Sequence, residues 1–281
     1  MKKTTAILIS VVLIAAFAGL IYYGLTHSRG IPVKPEKIER PVIDAAFVDK
    51  EIDLSSGLSD ELWREITAKE VKLIYQITVL PWPIARESVQ PVIVKAFHNN
   101  KDIYFYLSWK DDSEDRILRT NKFSDACAIM FPMDEKAQPA TIMMGFLGRS
   151  NIWHWKASND IQYWMRESPK TEAYADFYYP FEEEEIFVVS KEVPKSAVSD
   201  LLAIRVGTIT PKDVQNISGR GFWKDGVWQV VFKRSLRAVD SEDDADFKQG
   251  KKLCAFAVWN GAKGDRGGRK VISDWAELDI K

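Results

Sequence analysis

Cysteine and histidine are scarce in this chain, and their scarcity closes off several chemistries. Its 281 residues hold two cysteines, Cys127 and Cys254, and three histidines, His27, His98 and His154. No C-x-x-C pair is present for a metal or redox site, and no C-x-x-C-H for covalent haem attachment. The histidines are too dispersed to form a zinc cluster. No G-x-S-x-G elbow marks a serine hydrolase. The formal net charge of −1 lacks the basic excess that binding to nucleic acid requires. There is no internal repeat, and little of the chain has helical periodicity. The two cysteines lie in apolar, strand-like runs, where buried free thiols are the simple reading and a disulfide the alternative.

What the chain does have begins at its N-terminus. Lys2 and Lys3 precede an uncharged run over residues 4–25. As a helix that run would span a bilayer core of roughly 30 Å at about 1.5 Å per residue. Tyr22 and Tyr23 suit a membrane interface, while Ala16-Phe17-Ala18 could serve as a signal cleavage site. We therefore expect residues 1–27 to be a membrane anchor or signal segment, with the anchor favoured. Residues 28–40 read as a linker carrying Pro32 and Pro35. Residues 41–281 should form one domain outside the cytoplasm, on the periplasmic side.

Within that domain, apolar runs of strand length alternate with turn signals. They cover residues 71–80, 91–97, 103–109, 126–131, 152–155, 186–189, 202–206, 227–232, 253–259 and 271–280. Asn99-Asn100 and Asp225-Gly226 are hairpin turns, the second the stronger because Asp and Gly tolerate positive φ. Residues 60–69 offer one or two helical turns that place Trp63 on the core. The pattern predicts an all-β chain, a β-sandwich. The acidic run Glu182–Glu185 reads as a solvated loop edge.

Two features stand out from this scaffold. The first is the glycine- and charge-rich loop between Trp259 and Val271, with Gly261, Gly264, Gly267 and Gly268 followed by Lys270. Glycines there allow tight turns or a close approach to a ligand. The second is Met143-Met144-Gly145, whose thioethers are soft ligands able to hold haem iron. Flexible core filling is the alternative for the methionines, and a solvated loop position for Lys270. A ligating lysine would need a shielded, neutral amine. His154 lies between Trp153 and Trp155 in a strand and so faces away from both; His98, at a turn, is expected to be exposed.

Several motifs then recur in an order that resembles one family. They are Trp109-Lys110-Asp111-Asp112, the run from Phe123 to Pro132, Met144-Gly145 and the run from Asn151 to Ala157. Trp228 to Arg234 and the closing Ala257-Val258-Trp259-Asn260-Gly261…Arg269-Lys270…Ser273-Asp274-Trp275 complete the set. From about Ile43 to the C-terminus the chain is similar to the ethylbenzene-dehydrogenase-like haem-binding domain. Members of that family include γ subunits of exported molybdenum enzymes.

The resemblance implies a β-sandwich holding one non-covalent haem b, with methionine and lysine as axial ligands. Met144 matches the family's Met-Gly position, with Met143 as fallback; Lys270 is preferred for the lysine, with Lys233 as fallback. It further implies electron transfer without substrate chemistry on this chain. The partners would be a molybdenum-containing catalytic subunit, an iron–sulfur subunit and a soluble cytochrome or similar carrier. A carbohydrate-binding sandwich on a membrane stalk is the alternative, because the segment from Ile52 to Trp63 resembles the opening of such modules. A sandwich that has lost its cofactor and serves assembly is a third.

Overall fold

The computed structural model describes residues 39–56, 58, 60–76, 89–118, 122–133, 148–166, 174–175, 186–187, 194–204, 208–240 and 242–281. The expected N-terminal anchor therefore lies outside the described residues. Among those described, no helix is long and apolar enough to cross a membrane. Arg40–Lys281 form one compact unit.

The unit is mostly β. Its strands are β1 (Val42–Phe47), β2 (Lys69–Val71), β3 (Ile74–Tyr75), β4 (Val92–His98), β5 (Asp102–Lys110), β6 (Ala126–Pro132), β7 (Ser150–Lys156) and β8 (Tyr174–Ala175). They continue as β9 (Ile186–Phe187), β10 (Val198–Ala203), β11 (Thr210–Pro211), β12 (Ser218–Lys224), β13 (Val227–Ser235), β14 (Gly250–Trp259), β15 (Val271–Ile272) and β16 (Ala276–Ile280). Two short helices interrupt them, α1 (Asp60–Glu65) and α2 (Ala157–Met165).

Fourteen of the strands form one sheet that folds back on itself, while β8 and β9 pair separately. The turning point is β14. Its first five residues, Gly250 to Cys254, pair with β16, and the next five, Ala255 to Trp259, pair with β6. One half then runs β16-β1-β4-β5-β13-β12, and the other β6-β7-β10-β11, with β15 and β3 added beside β14. Among the described residues only β1 pairs in parallel, with both β16 and β4; the remaining ladders are antiparallel. The chain is thus mostly β, as strand alternation predicts, but the expected sandwich is replaced by one continuous sheet whose halves are joined through β14.

Alternation of side chains places every second residue of each strand between the halves. Phe105, Leu107 and Trp109 of β5 meet Trp153 and Trp155 of β7 in this core. The Trp155 and Trp228 rings are 5.0 Å apart, edge to face, and Phe105 sits 5.7 Å from Trp153. Aromatic pairs of this geometry add about 0.5–1.5 kcal/mol beyond their burial. Their polar edges are satisfied too: Trp155 Nε1 donates to Asp160 at 2.8 Å, and Trp153 Nε1 to Asn151 at 3.0 Å. Cys127 and Cys254 are both buried free thiols, so the disulfide alternative does not apply.

The open edge at β12 is covered by side chains rather than by another strand. Trp164 Nε1 donates to the Gly219 carbonyl at 3.1 Å, and the Gly221 amide donates to Asp160 at 2.9 Å. Such capping blocks pairing with a second chain. On the outer face of the first half, α1 packs Leu62 and Trp63 against Phe97, Tyr104 and Tyr106. The helix is shorter than expected, but Trp63 is buried as predicted, at 3% exposure. Asp225 and Gly226 turn the β12–β13 hairpin with φ of 52° and 76°, the mirror-image turn that an Asp-Gly pair favours.

Gly221 leaves room for the Trp155 ring: a Cβ there would lie 2.1 Å from Trp155. Gly221→Ala should therefore cost about 1–3 kcal/mol by overpacking, read as a lowered urea midpoint at unchanged m-value. Gly268→Ala, where a Cβ would meet nothing within 4 Å, should change stability by less than about 0.5 kcal/mol.

Candidate functional site

The site is built on the outer face of the second half of the sheet. Because strands alternate, the residues that face away from Trp153 and Trp155 line up across neighbouring strands. The ladder registers place Ile272, Ala257, Ala128, His154 and Ser199 in one row across β15, β14, β6, β7 and β10. The row on one side holds Ala255, Met130 and Ile152, and on the other Trp259, Ala126 and Lys156. Four of these positions, Ala126, Ala128, Ala255 and Ala257, are alanines, each no more than 9% exposed. At about 4.8 Å between strands, the methyl groups make a flat apolar floor bordered by larger residues.

Three side chains meet at one end of that floor. The indole of Trp259 meets the His154 ring, with centroids 4.8 Å apart and planes 30° from parallel. The Lys270 amine lies 5.2 Å from the Trp259 ring centroid. Trp259 Nε1 and Lys270 Nζ share one acceptor, the Gly267 carbonyl, at 3.0 and 3.3 Å. The loop carbonyl thus fixes indole and amine together. No carboxylate among the described residues forms an ion pair with Lys270.

The electrostatics of the cluster follow from burial. Desolvation alone lowers the Lys270 amine from 10.5 to about 8. The His154 imidazole is pushed well below its ordinary value, first by burial and then by the charges of Lys156 and Lys270. It is neutral near pH 7, and its Nε2 is buried without a hydrogen-bond partner.

The loop that carries Lys270 is pinned at its start. Asn260 Nδ2 donates to Asp111 Oδ1 at 2.8 Å, and the Gly261 amide donates to Asp125 Oδ1 at 2.8 Å. Asp125 also accepts from Trp228 Nε1 at 3.0 Å. A Cβ on Gly261 would lie 2.0 Å from the Phe123 carbonyl oxygen, so this glycine serves approach to the neighbouring backbone. Gly264 and Gly267 turn the loop with φ of 75° and 50°. Three of the loop's four glycines, Gly261, Gly264 and Gly267, are thus accounted for by its own folding.

The other residues singled out in the sequence fall as follows. Met143 and Met144 lie outside the described residues, as does the run Glu182–Glu185 apart from its neighbour Ile186. Lys233 is elsewhere, on the outer face of the first half. Its amine bonds Glu51 at 2.6 Å and lies 3.4 Å from Asp102. These acidic partners and Tyr104 outweigh its partial burial and hold the amine above its ordinary pKa, so it stays charged. His98 is buried rather than exposed, bonded through Nε2 to the Lys281 carbonyl at 2.7 Å. The alanine floor and Trp259 were not singled out from the sequence. Their signal is Ala-x-Ala inside two of the longer apolar strand runs, Ala126-Cys127-Ala128 and Ala255-Phe256-Ala257.

The chain belongs to the ethylbenzene dehydrogenase family, whose pattern matches residues 60–271. Among curated proteins it is similar to the putative respiratory nitrate reductase heme subunit ORF7 of Haloferax mediterranei, 26% identical over 84% of this chain and 75% of that protein. It is also similar to the chlorate reductase subunit gamma of Ideonella dechloratans, 23% identical over 77% of this chain and 76% of that protein. The dimethylsulfide dehydrogenase subunit gamma of Rhodovulum sulfidophilum is 25% identical over 66% of this chain and 58% of that protein. Among solved structures, a family 9 carbohydrate binding module from Caldicellulosiruptor kristjanssonii in complex with cellotriose aligns with 85% of this chain and 93% of its own, at 11% identity and a TM-score of 0.43. That likeness is too loose to carry functional information.

Asp111, which anchors Asn260, is 3% exposed, and its Oδ2 has no partner. Burial, followed by the charge of Asp125, raises its pKa from 3.8 to about 7. A folded pKa above the unfolded value means the contribution is full below about pH 4 and is lost as pH rises through 7. Carboxyl 13C shifts should give a midpoint near 7, and Asp111→Asn should flatten the fall in stability between about pH 4 and 8.

Proposed function

We propose that this chain is the electron-transfer γ subunit of a molybdenum oxidoreductase complex and binds one non-covalent haem b on the alanine-floored face. The observation that carries the reading is Lys270: a shielded amine, without an acidic partner, beside a flat apolar surface. Small side chains in two adjacent strands suit a planar macrocycle, where larger ones would stand in its way. The partnerless Nε2 of His154 marks the same face as one that accommodates a polar group.

Lys270 and Met144 would hold the iron, with Met143 as the alternative thioether. Each pKa unit is worth about 1.4 kcal/mol, so burial removes most of the cost of keeping the Lys270 amine neutral at pH 7. Lys233, tied to Glu51 and Asp102, would have to break two ionic contacts first. The bound haem would supply a reversible one-electron change at its iron. The chain's own contribution is to place both ligands, exclude water with Trp259 and Ile272, and leave substrate chemistry to another subunit.

The relatives' names, each a subunit of a reductase or dehydrogenase, support a catalytic partner subunit; the partners of this reading are a molybdenum-containing catalytic subunit, an iron–sulfur subunit and a soluble carrier such as a cytochrome. The N-terminal run over residues 4–25 supports a periplasmic location with a membrane anchor. The carbohydrate-binding alternative fares worse on particular residues. Trp63, from the segment that suggested it, is buried under the first half of the sheet. Trp164 is half-buried, and Arg220 lies over its ring at 4.7 Å.

The full chain, produced in an exporting and haem-supplied host, should show a six-coordinate low-spin spectrum, with haem extractable by acidified acetone. Lys270→Ala and Met144→Ala should each convert the spectrum toward high spin and weaken haem retention about tenfold, or about 1.4 kcal/mol. Lys233→Ala should leave the spectrum unchanged. A well-folded chain with no Soret band would overturn the reading.

A further inference from the structure

His154 is a half-buried side chain of the alanine-floored face whose Nε2 is buried without a hydrogen-bond partner among the described residues, and Ser150 Oγ, farther along the same face of β7, is another such atom. It sits mid-strand in β7, opposite Ala128 on one side and Ser199 on the other. A buried nitrogen without a partner is costly, on the order of 1–3 kcal/mol. Such a group calls for an explanation, and a ligand bound from outside the chain is one.

The surroundings define what that something is. Lys156 stands two residues along on the same face of β7, and Lys270 approaches from the loop. With Lys270 given over to the iron as a neutral amine, Lys156 is the remaining cation acting on His154, and among the described residues no acidic group acts on it in return. An imidazole beside a cationic side chain suits an anionic acceptor for its N–H. It does not suit a cation.

We propose that His154 is a haem-contacting residue whose Nε2–H donates to a carboxylate of the bound haem, orienting the macrocycle on the alanine floor. The proposal rests on the haem-binding reading above and adds to it the edge of the ligand that this face recognises. Haem is amphipathic in the way the face is: the floor of Ala126, Ala128, Ala255 and Ala257 meets the apolar ring, and the row from His154 to Lys156 meets its acid groups. Trp259, stacked on His154 and bonded to Gly267, holds the imidazole in place.

The test is a binding cycle on the full-length apo-protein. Haem and its dimethyl ester, in which both carboxylates are blocked, are titrated into wild type, His154→Phe and His154→Gln, following the quenching of tryptophan fluorescence and the Soret band. Wild type should prefer haem over the diester about tenfold or more, the worth of a charge-assisted hydrogen bond. His154→Phe keeps the ring stacked on Trp259 and should lose most of that preference; His154→Gln keeps an N–H donor and should recover part of it. Equal preference in wild type and His154→Phe would overturn the proposal while leaving haem binding intact. Failure of wild type to bind either compound would instead remove the haem reading itself.

A second measurement needs no variant. In 15N-histidine-labelled wild type carrying diamagnetic zinc protoporphyrin, the His154 Nε2 resonance should move on binding the free acid and stay put with the diester. The same movement with both compounds would overturn the carboxylate contact.

Discussion

The two-sided pairing of β14 is the constraint on which the remaining structure depends. A single strand of ten residues bonds β16 through its first five and β6 through its last five. This forces the sheet to fold over and brings Phe105 and Trp109 against Trp153 and Trp155. The same strand sends Cys254, Phe256 and Val258 into the core and Ala255, Ala257 and Trp259 to the opposite face. Core and candidate site are therefore two faces of one ladder. A shift of register by one residue would exchange them.

Rigidity of the site follows from that arrangement. The floor belongs to central strands with partners on both sides. The loop after β14 is tied to Asp111 and Asp125 at its first two residues and to Trp259 through Gly267. A site mounted on such elements keeps its side chains in place with little reorganisation, which suits the proposed outer-sphere electron transfer. The placement also explains why burial, and not a neighbouring charge, tunes Lys270: the amine sits over an indole and a carbonyl, away from acidic groups.

Lys233 and Lys270 show how much of the site could be read in advance. Lys233 follows an apolar strand run and Lys270 precedes one, and each has an arginine beside it, so local composition says little of their surroundings. Their partners do. Glu51 and Asp102 reach Lys233 across 182 and 131 residues of sequence respectively, as 233 − 51 and 233 − 102 give, and no local pattern records such pairings. His98 was misjudged for the same reason: its partner is the carbonyl of Lys281, 183 residues away. His154 was correctly turned away from Trp153 and Trp155, because alternation along a strand is local.

Local rules were enough for the sequence alone to determine the mostly β character, most strand positions, the Asp225-Gly226 turn, the burial of Trp63 and the side of β7 on which His154 lies. Each depends on residues within a few positions of one another, through pleat alternation or backbone preference. The ordered motifs also determined the family. Only the tertiary structure decided that one strand joins the two layers, that two Ala-x-Ala pairs lie side by side as a floor, and that Lys270, Trp259 and His154 converge there. Those facts rest on ladder registers between distant segments, and registers are settled by which faces can be buried together once the whole sheet has formed.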